Sequence, residues 1–251
     1  MSILVVNDLQ ANHGLLAAVR GVSFSIEQGE VLAVVGANGA GKTTLFRTLC
    51  GVHRAHAGQI HLANKDITDF SAHHRVSEGL AMVPEGRRLF ADMSVRENLL
   101  IAGEHGRLGE WSLERVVDAL PALRSIMSKL AGGLSGGQRQ SVAIGRALMS
   151  NPKVLMLDEV SLGLSPIAVD EVYESLQQIK EAGQTTMVLV EQDLNRARQF
   201  SDRLMCLLEG QISLQGTADT LSKEAIVAAY FGLEKDDGLE ESGGLGENKY
   251  A

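Results

Sequence analysis

Short runs of Val, Leu and Ile, bounded by Gly, Asn or Pro, alternate along the chain with longer stretches whose apolar residues recur every three or four positions. The short runs predict strands at Ile3–Asp8, Gly21–Glu27, Val31–Gly36 and Gln59–Leu62, then at Leu80–Pro84, Val154–Asp158, Thr185–Val190 and Arg203–Leu208. The crowding of the first four and the wide spacing of the rest predict an antiparallel piece followed by a parallel sheet. From Val154 onward strands alternate with helices in the βαβ manner. Between Pro84 and Asn151 the pattern is helical. Ser94-Val-Arg-Glu97 is a capping box opening Val95–Ala102, Ser112 caps Leu113–Leu120, and Ser135 opens a helix that reaches about Ser150. This block, about residues 86–150, reads as a helical lobe inserted into an α/β core. Further on, Ser165-Pro166 starts a helix whose apolar face is Val169, Val172, Leu176 and Ile179, predicted to end at Gly183.

A chain of 251 residues with 45% hydrophobic and 22% charged residues can bury a core of its own, and 4% aromatic content means that aliphatic residues must build it. The formal net charge of −8 lacks the basic footprint that broad binding to nucleic acid or anionic lipid requires. Half of that excess lies in Gly232–Ala251, and residues 234–251 are too glycine-rich and charged to predict a packed segment. Two cysteines, Cys50 and Cys206, sit in apolar surroundings and suit a reducing compartment as small buried hydrophobes. No run approaches the roughly 18 apolar residues of a membrane span, and Met1–Gly14 lacks a secretory pattern. The expectation is a soluble protein of the cytoplasm.

The strongest chemical signal is Gly36-Ala-Asn-Gly-Ala-Gly41-Lys42-Thr43, between the apolar run Val31–Val35 and a helical pattern with Leu45, Phe46 and Leu49 on one face. In that context the glycines let backbone N–H groups curl around a phosphate, and the helix N-terminus adds its positive end. Lys42 supplies a point charge for β and γ phosphates, and Thr43 a hydroxyl for Mg²⁺. A second element, Val154-Leu-Met-Leu157-Asp158-Glu159, reads as a buried strand delivering two carboxylates to the C-terminal sheet edge. Asp158 would hold Mg²⁺ through water, and Glu159 would polarise the water attacking the γ-phosphate. The third, Leu134-Ser-Gly-Gly-Gln138 at a helix start, reads as another anion-binding nest.

Together the three motifs resemble the ATP-binding cassette family. Gly36–Thr44 resembles its Walker A loop, Leu134–Gln138 its signature and Leu155–Glu159 its Walker B with the catalytic glutamate. The resemblance runs from about Ile3 to Leu233 and implies a P-loop NTPase core with a small antiparallel β subdomain and an inserted helical lobe. It implies ATP and Mg²⁺ as ligands, with Asn38, Gly39, Gly41, Lys42, Thr43 and Thr44 at the nucleotide. It also implies head-to-tail pairing with a second cassette, sister or self, whose ATP would meet Ser135, Gly136, Gly137 and Gln138. By the same resemblance the helical lobe touches two membrane-spanning permease subunits, and an extracytoplasmic solute-binding protein acts indirectly. No nucleic acid is implied. The chain would then sit peripherally on the cytoplasmic face of the plasma membrane.

Departures from the family pattern narrow the subfamily. The switch-loop glutamine falls at Glu85 within Val83-Pro-Glu-Gly-Arg-Arg-Leu-Phe90, and the switch histidine at Gln192 within Leu189-Val-Glu-Gln-Asp193. With Ser161-Leu-Gly-Leu164 these segments resemble an ATPase subunit of branched-chain amino-acid type importers, a class that also moves urea and short amides. Gln192 can donate a hydrogen bond but cannot carry a proton near neutrality, so the base role falls to Glu159. Glu85 adds a carboxylate that would sense the metal and couple it to the transport partner, with Arg87 and Arg88 to offset its charge. Val160 stands where proline is usual, which predicts a slightly looser loop. His13 stands where an adenine-stacking aromatic is common, with Val19 expected to complete the base pocket.

His53, His56 and His61 read as solvated loop histidines and His73-His74 as a pair on different faces. Two competing functions remain at this level: a soluble cassette ATPase of an assembly system, and a nucleotide-binding regulator that hydrolyses little.

Overall fold

The computed structural model describes residues 1–104, 106–182 and 185–233. The expectations for residues 234–251, and for a helix end at Gly183, lie outside the described residues.

Two sheets organise the chain. In the first, β1 (Ser2–His13) pairs antiparallel with β2 (Leu16–Glu27) on one side. On its other side it pairs with β4 (Ala57–Leu62), which is followed by the short β5 (Lys65–Asp66). Both long strands extend well past the predicted segments. The extension tolerates polar and exposed residues because β-bulges shift the register between Val6 and Leu9 and again at Gln10 and Asn12. β3 (Val31–Val35), buried along its whole length, belongs instead to the second sheet.

That sheet also contains β6 (Leu80–Val83), β7 (Val154–Asp158), β8 (Thr186–Val190), β9 (Arg203–Leu208) and β10 (Gln211–Thr217), in the order β10-β9-β3-β8-β7-β6. Pairings from β9 to β6 are parallel, and β10 closes one edge as an antiparallel hairpin with β9. The central strands are buried on both faces, which is why they read as unbroken apolar runs.

Helices cover both faces. α1 (Lys42–Leu49) follows β3, α2 (Ala72–Glu78) precedes β6, and α3 (Val95–Glu104), α4 (Leu113–Ala119) and α5 (Gly136–Met149) fill the interval before β7. α6 (Pro166–Glu181), α7 (Leu194–Phe200) and α8 (Lys223–Phe231) complete the order. Ser112, Ser135 and Ser165 cap their helices as the pattern requires. Leu99, Trp111, Val116 and Leu148 from α3–α5 and their connections join one apolar cluster with Val31, Leu157 and Leu189 of the parallel sheet. A second cluster packs α1 through Leu45, Phe46 and Leu49 between the two sheets. Among the described residues no helix is long and apolar enough to cross a membrane.

Candidate functional site

β3, β8 and β7 lie side by side, so their C-terminal ends bring together the Gly36–Thr43 loop, Glu191-Gln192 and Asp158-Glu159. Gly41 caps α1 at φ 102°, and a Cβ there would lie 2.2 Å from the Ala18 carbonyl oxygen, so both backbone sign and space exclude any side chain. Lys42 is the first residue of α1 and only 4% exposed. Its Nζ donates to the carbonyls of Gly36 at 2.6 Å and Ala37 at 3.1 Å. Burial depresses the ammonium pKa, while Glu159 and Asp158 oppose that shift.

A cavity of about 260 Å³ opens over this loop. Its lining brings together His13, Asn38, Gly39, Gly41, Lys42, Thr43, Thr44 and Glu159, eight of the residues singled out from sequence. Gln192 joins them through Glu159: its Nε2 donates to Glu159 Oε1 at 2.9 Å. Glu159 adopts φ 47°, a left-handed conformation that costs a non-glycine residue about 1–2 kcal/mol. Its own N–H is fixed to the Val190 carbonyl at 3.1 Å.

His13 ends β1 at the mouth of the cavity, its ring 6.1 Å from that of His53. Val19 does not complete this wall. It is buried in the core beneath β2, because its side chain points to the face opposite the one that presents Leu16 and Ala18 to the cavity. His73 and His74 stay in ring contact at 5.8 Å instead of diverging.

Asp158 is 3% exposed, and burial, reinforced by Glu159 and Glu85, pushes its carboxyl pKa up to about 6. Arg47 and Lys42 pull the other way. Glu85 does not line the Lys42 cavity; with Arg47, Arg88 and Asp158 it lines a neighbouring one of about 440 Å³. The donors Thr43 and Asp158 fit Mg²⁺, which takes one or two protein oxygens and leaves its other positions to water and phosphate. Among the described residues no group of three or more His, Cys, Asp or Glu is placed to hold a metal ion.

The signature residues lie elsewhere, at the start of α5. Ser135 Oγ accepts from the Gln138 N–H at 3.2 Å, and Gln138 Oε1 accepts from the Ser135 N–H at 3.1 Å. The glycines between them also serve packing, since a Cβ on Gly137 would lie 2.9 Å from Ala168 Cβ of α6. Val160 is 1% exposed and packs in the apolar cluster.

Three residues escaped the reading from sequence. Arg47 borders both cavities, and its i,i+4 spacing from Thr43 on α1 was the signal that could have placed it there. Arg146 on α5 donates to the carbonyls of Arg88 at 2.8 Å and Arg87 at 3.0 Å, holding a loop in which both arginines have positive φ. Arg87 in turn donates to Gln140 Oε1 at 3.0 Å and to the Leu162 carbonyl at 3.3 Å. Glu191, buried at 1% exposure, receives hydrogen bonds from Tyr173 at 2.7 Å and Ser161 at 2.9 Å.

Comparison with known proteins gives a consistent result. The family model described as ABC transporter matches residues 19–161. The high-affinity branched-chain amino acid transport ATP-binding protein BraG of Pseudomonas aeruginosa is 37% identical over 233 residues, covering 92% of this chain and 100% of that one. The probable branched-chain amino acid transport ATP-binding protein LivF of Archaeoglobus fulgidus is 36% identical over 215 residues, covering 85% and 91%. Among solved structures, a nucleotide-free ATP-binding cassette from an ABC transporter matches with TM-score 0.79 at 29% identity, covering 92% of this chain and 99% of that one.

Proposed function

Because the chain belongs to the ABC transporter family and is an ATP-hydrolysing cassette of it, we propose that it is the motor subunit of an importer for branched-chain amino acids or related small amino acids and amides. The cargo class rests on the relatives named above, whose names place them in branched-chain amino acid transport. The mechanism rests on one observation: Lys42, Thr43 and Glu159 line a single cavity, with Gln192 hydrogen-bonded to the glutamate.

In this reading the triphosphate lies against the N–H groups of Gly39, Gly41 and Lys42, and the Lys42 ammonium reaches the β and γ phosphates. Asn38 and Thr44 complete the polar lining, and His13 stacks on adenine. Thr43 and Asp158 are the residues that would hold Mg²⁺, which when bound would supply positive charge beside the phosphates. Glu159 takes a proton from the attacking water, a contribution of about 10²–10⁴-fold in rate for a positioned base. Gln192 orients that carboxylate by its amide hydrogen bond and carries no proton itself. Glu85, which lines a cavity with Asp158, would sense a metal held there and couple its presence to the transport partner.

Ser135, Gly136, Gly137 and Gln138 face the nucleotide of a second cassette, either a sister ATPase or another copy. The helical lobe, about 86–150, meets two membrane-spanning permease subunits on the cytoplasmic face of the plasma membrane, and a solute-binding protein outside delivers cargo to them. No nucleic acid takes part. The test is reconstitution of this chain, with the hydrophobic subunits that co-purify with it, in vesicles loaded with Mg·ATP. Uptake of labelled leucine or a related amide is expected with wild type and lost with Lys42→Ala. Uptake that persists in Lys42→Ala vesicles overturns the motor role, and hydrolysis without any co-purifying membrane subunit favours a soluble assembly ATPase.

A further inference from the structure

Behind the Lys42 cavity lies a buried carboxylate that the proposed hydrolysis does not use. Glu191 follows β8 directly, between the strands that carry the phosphate loop and Glu159. Its N–H donates to the Val34 carbonyl at 3.3 Å, at the end of β3. Both of its carboxylate oxygens are engaged: Oε1 by the Tyr173 hydroxyl of α6, Oε2 by the Ser161 hydroxyl. Burial raises its pKa, and the donors from Tyr173, Ser161 and the Gln192 N–H counter that. An ion so placed is costly to bury, and the surrounding hydrogen bonds offset that cost only while all of them are made.

What the carboxylate holds is the turn that presents Glu159. Ser161 lies two residues beyond it, the Leu162 N–H donates to the Glu159 carbonyl at 3.1 Å, and the Leu164 N–H to Ser161 at 3.3 Å. On the far side Arg87 reaches the Leu162 carbonyl. The residue next to Glu191 is Gln192, which grips the Glu159 carboxylate. One side chain therefore ties together the turn that carries the base and the strand end that carries its hydrogen-bond partner.

We propose that Glu191 is a positioning residue for hydrolysis: by latching Ser161 and Tyr173 it fixes the turn after β7 against the end of β8, and so keeps Glu159 and Gln192 in register. The proposal rests on Glu159 being the base. Because Glu191 does not line the cavity and its carboxylate is taken up by Tyr173 and Ser161, its loss should lower turnover while leaving nucleotide binding intact.

The test compares wild type, Glu191→Ala, Glu191→Gln, Ser161→Ala, the Glu191→Ala/Ser161→Ala double variant and Glu159→Gln in the full chain. Phosphate release from Mg·ATP is read beside the affinity for a fluorescent ATP analogue. The expected result is a fall in kcat of about 10- to 100-fold for Glu191→Ala, with affinity changed less than about threefold. Glu191→Gln, which can still accept from one hydroxyl and donate to the other, recovers most of the loss. Ser161→Ala, a mild change in a turn, falls about 3- to 10-fold, and the double variant is no worse than Glu191→Ala because both break one connection. Unchanged kcat in Ser161→Ala, additive losses in the double variant, or a parallel fall of kcat and affinity in Glu191→Ala overturns the latch. Glu159→Gln separates the two levels: if it hydrolyses at the wild-type rate, the base assignment itself fails, whereas if its turnover collapses and Glu191→Ala turns over like wild type, only the latch fails.

Discussion

Gln192 Nε2 lies 2.9 Å from Glu159 Oε1, so residues just beyond the ends of two adjacent parallel strands, β8 and β7, meet beside the Lys42 cavity. An amide in this place can hold the carboxylate but cannot exchange a proton with it near neutral pH. Gln192→Ala is therefore expected to lower kcat by about 10- to 100-fold while the KM for ATP moves less than about threefold. Steady-state phosphate release over a range of ATP concentrations checks this, and a change confined to KM would contradict it.

Asp158 predicts a pH dependence of stability in the metal-free protein. Its folded pKa of about 6 lies above its ordinary value of 3.8, chiefly because of burial and then because of Glu159 and Glu85. Below about pH 3 the carboxyl is protonated in both folded and unfolded chains and exacts no penalty. As pH rises toward 6 the unfolded chain ionises first, so the stability that the neutral buried form contributes is progressively lost, and above 6 the loss is complete. Asp158→Asn should accordingly stabilise the metal-free fold by about 1–3 kcal/mol at pH 7.5, with the gain vanishing below about pH 3. Urea unfolding at several pH values in the presence of a chelator measures it.

Much of this arrangement was legible in the sequence, and the physical reasons differ by element. The phosphate loop was readable because an apolar run, a glycine-rich turn and a helix with Leu45, Phe46 and Leu49 on one face leave few alternatives. β7 and β8 were readable because strands buried on both faces are continuous apolar runs. By contrast β10 alternates exposed and half-buried residues on a sheet edge, and α7 and α8 are short, so neither gives a strong period. The ends of β1 and β2 were missed because bulges break the two-residue alternation on which a strand is read. Within the site, Arg47 could have been placed from its spacing to Thr43, whereas the roles of Arg146 and Glu191 were hidden for another reason: each acts through partners far away in sequence, and only folding supplies them.

Gly137 gives a test of packing against conformational preference. Alanine ordinarily improves on glycine within a helix, by roughly 0.5–1 kcal/mol in its interior and by less in the first turn, where Gly137 is the second residue of α5. Here the added methyl would press on Ala168 Cβ at 2.9 Å, between α5 and α6. Gly137→Ala is expected to reverse the usual sign and destabilise by about 1–3 kcal/mol, the common cost of overpacking. Thermal unfolding of the variant beside wild type decides it, and a raised Tm would contradict it.

Arg146 holds two carbonyls, those of Arg87 and Arg88, with one planar guanidinium whose pKa is lowered by burial. Arg146→Lys offers a single ammonium in place of the fork and should not restore the geometry. Both Arg146→Ala and Arg146→Lys are expected to speed amide hydrogen exchange in residues 87–90 at least about tenfold, consistent with loss of about 1.5–3 kcal/mol of charge-assisted hydrogen bonding. Exchange as slow as in wild type for the lysine variant would show that charge alone suffices.

The central claim is that Glu159 activates water against a triphosphate gripped around Lys42. Phosphate release from Mg·ATP by wild type and by Glu159→Gln, with ATP affinity determined on the same preparations, tests it most directly. The glutamine variant is expected to bind ATP within about threefold of wild type and persist as a closed dimer while its turnover falls by about 10²-fold or more. Hydrolysis at the wild-type rate in that variant would contradict it.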